Sequence, residues 1–123
     1  MKKKIAAIIT EYRRHAHADV IVGKVLEGYN YDRGEGPNLE LVSMYVDQFP
    51  AGDMSRDLAK KHGFKIADTI ADALTLGGNT LAVEGVLSIG EHGTYPKNEK
   101  GQLLYPRRRF FEEITAVFER TKK

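Results

Sequence analysis

His15-Ala-His17 sets two imidazoles two residues apart, in a stretch that also holds Glu11, Tyr12, Arg13 and Arg14. On an extended segment this spacing points both rings the same way. Mixed imidazole and carboxylate donors suit zinc or another divalent first-row ion. His15, His17 and Glu11 are therefore candidate metal ligands, and Asp47, Glu91 and His92 are groups that could converge on them. Glu91 or His92 would then serve as the acid or base of a metal-dependent hydrolase or lyase. The bland alternative is a pair of polar surface groups at a helix entry. The (β/α)8 barrel, in which a His-x-His pair commonly serves hydrolases, needs about twice this length.

The arginines offer a different chemistry. Arg13, Arg14 and the run Arg107-Arg-Arg109 could grip a phosphate through their forked side chains. The triple arginine opens a predicted helix, where the dipole and the free N–H groups favour an anion and disfavour three uncompensated cations. A solvated basic loop is the competing reading. Asp47 closes a predicted strand, the place of a ribose-binding acid in a dinucleotide domain, although it could equally cap a turn through Gln48 to Gly52. Ser88, Glu91, His92, Tyr95 and Lys97 stand on the loop after another predicted strand, where the acids and bases of such enzymes often sit.

These residues are useful together only if the elements between them bring them together. Ile5 to Ile9 is a continuous apolar run, the pattern of a strand buried on both faces. Ala18 to Glu27 carries Val20, Ile21, Val25 and Leu26 at helix-like spacing, with Gly28 as its stop. Tyr29 to Asn38 has loop composition, and Leu39 to Val46 reads as the second strand. Asp53 caps a helix from Met54 to His62, and Phe64 to Ala67 is a short third strand. A further helix, capped by Asp68 or Thr69, uses Ile70, Ala73 and Leu74 as its inner stripe and breaks at Gly77-Gly78-Asn79. Val83 to Ile89 is the fourth strand, Gly90 to Pro106 is a long polar loop, and Arg107 to Thr121 is a helix with Phe110, Phe111, Ile114, Val117 and Phe118 on one face.

Strands alternating with helices predict an α/β, Rossmann-like three-layer fold with a mostly parallel sheet of about four strands. Every strand then ends on the same edge, and ligands of such sheets bind there, near the reversal of strand order. The segments Thr10 to His17, Asp47 to Met54 and Gly90 to Pro106 are expected to converge at that edge.

In its order of elements the chain resembles, over nearly its whole length, the N-terminal nucleotide-binding domain of the Gfo/Idh/MocA oxidoreductases. The resemblance lies in the first strand and its turn, in Asp47 ending the second strand, in the helix Asp53 to Gly63, in Ile70 to Leu74 and in the strand Val83 to Ile89. More narrowly, Thr10 to Asp19 and Tyr105 to Glu113 are similar to an uncharacterised bacterial branch of that family. The resemblance implies NAD(P) or another nucleotide-like ligand, held by Glu11, Tyr12, Arg13, Arg14, Asp47, Ser88, Glu91 and His92. It departs from the family at the first turn, which carries no glycine between Thr10 and His17, so that bulky side chains stand where a pyrophosphate would rest. Family members also continue into a second domain that supplies the catalytic lysine or histidine. The chain as given, residues 1–123, is then expected to be the N-terminal domain of a longer protein, binding its ligand without turnover alone. A non-catalytic interaction module is the remaining alternative.

At 123 residues the chain fits one domain. Its 19 basic and 17 acidic residues give a net charge of +2, which is no nucleic-acid footprint. The five-residue apolar run after the N-terminal lysines is too short for a signal peptide, and no stretch approaches the 18 or so residues of a membrane span. The absence of cysteine excludes disulfides and thiolate metal sites and agrees with a cytoplasmic location. A small-molecule ligand is the expected partner. An uncovered sheet edge or aromatic face on the last helix would further favour a homodimer or higher homo-oligomer.

Overall fold

The computed structural model describes residues 2–28 and 36–121. Eight elements follow in order: β1 (Lys3–Ile9), α1 (His17–Glu27), β2 (Leu39–Val46), α2 (Ser55–His62), β3 (Lys65–Ala67), α3 (Ile70–Thr75), β4 (Gly85–Ile89) and α4 (Arg107–Thr121). Most of the Tyr29 to Asn38 loop lies outside the described residues.

The four strands form one sheet in the order β3-β2-β1-β4, and every pair is parallel. β1 pairs with β2 from Lys3 opposite Leu39 to Ile9 opposite Val46, with one register shift after Ile5, and with β4 from Ile5 opposite Gly85 to Ile9 opposite Ile89. The chain steps outward from β1 through β2 to β3, then returns to the other side of β1. With right-handed crossovers this reversal sends α1 and α2 to one face and α3 and α4 to the other.

The core divides accordingly. On one face Ile5, Ala7 and Ile9 pack with Ala18 and Val22 of α1, Met44 of β2 and Leu58 and Ala59 of α2. On the other, Ala6 and Ile8 pack with Ile70, Ala73 and Leu74 of α3 and Phe110, Ile114 and Val117 of α4. Alternating side chains from Ile5 to Ile9 of β1 thus enter opposite cores, which is why this stretch is continuously apolar rather than apolar at every second residue.

Local chemistry sets the helix ends. Asp53 accepts from the Ser55 amide at 3.2 Å and from the Ser55 hydroxyl at 2.7 Å just ahead of α2. The Thr69 hydroxyl accepts from the Asp72 amide at 3.0 Å and caps α3. α3 stops one residue earlier than its glycines imply, because Leu76 itself takes the left-handed conformation at φ 54°.

Two predicted faces are corrected. α1 turns Ala18, Val22 and Gly23 inward and leaves Val20 and Ile21 exposed. In α4 the inward stripe is Phe110, Ile114 and Val117, whereas Phe111 is 66% exposed. Phe111 lies about 100° around the helix from Phe110, at the margin of the buried stripe rather than on it. Phe110→Ala should therefore cost about 3–5 kcal/mol in urea unfolding, while Phe111→Ala in dilute solution stays within about 0.5 kcal/mol. Equal losses at both positions would contradict this placement of α4.

Candidate functional site

The turn after β1 is clamped from several sides. The Thr10 amide bonds to the Ile89 carbonyl at 3.2 Å, the Gln48 amide to the Thr10 carbonyl at 2.8 Å, and the Met54 amide to the Tyr12 carbonyl at 2.7 Å. Tyr12 is fully buried and belongs to the core under α1. The buried Glu11 carboxylate accepts from Arg13 Nε. The Tyr12 side chain is thus part of the core, and the turn that contains it is held by backbone hydrogen bonds to the ends of β2 and β4 and to the entry of α2. Arg14, by contrast, is exposed and makes no ion pair among the described residues.

The segment after β4 is strapped across the ends of β1 and β2. The Thr10 hydroxyl donates to the Glu91 carbonyl. Gln48 holds Thr94 twice, its side-chain amide donating to the Thr94 carbonyl at 2.7 Å and its oxygen accepting from the Thr94 amide at 2.7 Å. Between these points Gly93 has φ 111°, and a Cβ there would lie 2.5 Å from the Tyr95 ring and 2.8 Å from Gln48 Oε1, so only glycine fits. Further on, Lys97 and Leu103 form an antiparallel bridge, and the predicted long loop is in part a small hairpin.

Asp47 fastens this strap. One carboxylate oxygen accepts from the Tyr45 hydroxyl at 2.6 Å and from the Arg109 guanidinium, and the other accepts from the Tyr95 hydroxyl at 2.7 Å. Its side chain is 12% exposed. Burial works to raise the carboxyl, but the bonds from Tyr45, Tyr95 and Arg109, with the charge of Arg109, outweigh it and hold the group below its ordinary value. Burial and then the bond to Asp47 push the Tyr45 hydroxyl up to about 12, and the same causes raise Tyr95. Asp47, read from the sequence as a ribose-binding acid, has both oxygens committed to the protein.

An open crevice lies beside this clasp. A hollow of about 410 Å³ is lined by His17 and Ile21 of α1, by Ser88, Gly90 and Glu91 at the end of β4, and by Arg107 and Phe111 of α4. Arg107 donates to the Glu91 carboxylate at 2.6 Å and to the Gly90 carbonyl at 3.3 Å. The His92 ring stacks on His17 with centroids 4.9 Å apart, and His92 is held at φ 67°. The fold therefore brings together His17, Ser88, Glu91 and His92 from the predicted set and leaves Glu11, Tyr12 and Asp47 engaged inside the protein.

The extended His15-Ala-His17 segment is not what the chain adopts. His15 sits in a turn at φ 67°, its amide donating to Asp19 at 2.8 Å, while His17 is the first residue of α1. Among the described residues no group of three or more His, Asp or Glu side chains is arranged to hold a metal ion. The triple arginine is compensated rather than free: Arg107 pairs with Glu91, Arg108 with Glu112 at 2.7 Å, and Arg109 with Asp47 and Glu113.

Sequence reasoning missed Ile21 and Phe111 as crevice walls, because both were assigned to buried stripes. It missed Tyr45 as well, although residues two apart on a strand share a face, which places Tyr45 beside Asp47. No helix among the described residues is long and apolar enough to cross a membrane. Comparison of the chain with protein-family models, curated proteins and solved structures gave no match in any of the three.

The clasp should be visible in pH-dependent unfolding. A carboxyl lowered in the folded state contributes stability above its unfolded value, about 4, and loses it as pH falls through the folded value. Hydroxyls raised in the folded state contribute below their ordinary value of 10.0, and for Tyr45 that contribution is lost as pH rises towards about 12. Asp47→Ala should cost about 2–3 kcal/mol at neutral pH. Asp47→Asn should shrink the acid limb of the stability profile, and Tyr45→Phe with Tyr95→Phe should flatten the alkaline one. An alkaline limb identical in the double variant would refute the clasp.

Proposed function

We infer that this chain is a binding domain for a phosphate-bearing, nucleotide-like small molecule, held in the crevice between the first turns of α1 and α4. One observation carries the reading: Arg107, His17 and the start of a fifteen-residue helix face one hollow whose walls are the apolar Ile21 and Phe111. Its volume of about 410 Å³ falls within the usual range for small-molecule sites. Arg107 supplies fork-shaped donors, and α4 has no acidic residue in its first turn to cancel the positive end of its dipole. The Arg107–Glu91 pair is solvent-exposed on both sides, at 59% and 39%, so replacing Glu91 by a phosphate oxygen costs little. An aromatic or aliphatic group of the ligand would lie on Phe111 and Ile21.

A ligand of mononucleotide or sugar-phosphate size fits better than NAD(P) in its usual pose. The first turn carries the bulky Tyr12, Arg13 and Arg14 in place of glycines, and Asp47 is 12% exposed and already accepts from Tyr45, Tyr95 and Arg109. The reading continues the resemblance to the Gfo/Idh/MocA N-terminal domain in its fold and in the strand-end position of its site, with the grip moved from the first turn to the start of α4. It gives the domain ligand binding without turnover of its own.

Thermal unfolding with AMP, ADP, inorganic phosphate, NADH and NADPH tests this. AMP or ADP at about 100 times Kd should stabilise by about 2.7 kcal/mol, and Arg107→Ala should weaken that binding at least about tenfold. His17→Ala should weaken it less, and Arg14→Ala should leave it unchanged. No change in Tm with any of the five at millimolar concentration would end the phosphate reading. Zinc added to the same assay separates the hydrolase alternative, since stabilisation lost in His15→Ala and His17→Ala would favour a metal site instead.

A further inference from the structure

The outer edge of β4 closes the sheet order, and among the described residues no strand pairs with it. Edge strands are ordinarily protected by charge, proline or a bulge. Gly85-Val-Leu-Ser-Ile89 has none of these, and its register with β1 is uninterrupted. Hollows of about 630, 290 and 410 Å³ follow this edge, the first two sharing Phe118 and the last two sharing Ser88 and Phe111, so they form one groove along the strand. Exposed Ile21 flanks its carboxyl end from α1 and exposed Phe111 from α4.

The geometry points to a second copy of this chain in that groove, its β4 antiparallel to this β4 about a twofold axis at Leu87. Such pairing is isologous and satisfies both open edges at once. It sets Leu87 opposite Leu87, Val86 opposite Ser88, and Glu84 opposite Gly90. Charge favours this register. Arg107 covers Gly90, its Cγ 2.7 Å from where a Gly90 Cβ would stand, so the exposed Glu84 of each copy, which accepts only from the Lys4 amide at 3.3 Å among the described residues, comes to face Arg107 of the other. Arg107 has donors enough to face Glu84 on one side and a ligand oxygen on the other. Apolar matching agrees, because Phe118 beside Val86 comes next to Phe111 beside Ser88 of the second copy.

A stable interface needs about 800 Å² from each partner, more than a strand of roughly 17 Å offers, so α1 and α4 must also take part. The exposed Ile21 and Phe111 are the groups placed to do so. The pairing is argued from the sheet edge and does not rest on the proposed ligand. It would, however, wall the open side of the crevice.

Sedimentation of the full chain without ligand should show a concentration-dependent dimer. Phe111→Lys and Ser88→Lys, both at exposed positions, should weaken it at least about tenfold while leaving the circular dichroism unchanged. The chain has no cysteine, so single introduced thiols report the register cleanly. Directly opposed residues of an antiparallel pair are within disulfide reach, and Leu87→Cys should cross-link on mild oxidation far faster than Lys60→Cys on exposed α2. A monomer at high micromolar concentration, a dimer that both lysine variants leave intact, or cross-linking at Leu87 no faster than at Lys60 would each overturn the proposal.

Discussion

A strand whose side chains are buried on both faces must be covered on both faces, and β1 imposes that condition on everything around it. Its five residues from Ile5 to Ile9 supply apolar side chains alternately to two cores, and its backbone pairs on both sides, with β2 and with β4. Once β1 lies between its neighbours, α1 and α2 must cover one face and α3 and α4 the other. Because the strand order reverses across β1, the segments leaving β1 and β4 part there, and the residues that follow each strand meet at one edge of the sheet.

What the protein does with that edge differs from an open nucleotide-binding turn. Tyr12 is packed into the space below the first turn, and the segment from Glu91 to Tyr95 is bonded across the ends of β1 and β2 by Thr10, Gln48 and Asp47. Asp47 then accepts from two hydroxyls and a guanidinium, which fixes the start of α4 relative to β2. Partly removed from water, a carboxylate so saturated with donors is more valuable to the protein as a fastening than as a ligand contact. Accessible chemistry is displaced towards the outer side of β4, where His17, Glu91 and Arg107 remain at the surface.

The same displacement links the candidate site to the sheet edge. A crevice between the first turns of two helices on opposite faces has a floor made by the end of the strand between them, and β4 is that strand. Its outer backbone, Ser88 and the exposed Phe111 therefore belong both to the crevice and to the groove along the edge. A ligand in the one and a polypeptide along the other would touch the same residues.

The sequence by itself determined the class, the order of the eight elements and, for β2 and α4, their observed limits, because periodicity and capping are local properties. Leu39–Val46 and Arg107–Thr121 announce themselves by the spacing of their apolar residues, and Asp53 and Thr69 by their hydrogen bonds to amides two or three residues ahead. It also located the relevant edge, since a parallel sheet carries all its carboxyl ends together. Only the tertiary structure decided which polar residues at that edge are engaged within the protein and which stay exposed. Asp47 meets Tyr95 and Arg109 across 48 and 62 residues of chain, and no local pattern encodes such a meeting. Whether Phe111 packs inward, as Phe110 does, depends likewise on how α4 is rotated against α3 and the sheet, a choice made by contacts from elements distant in sequence.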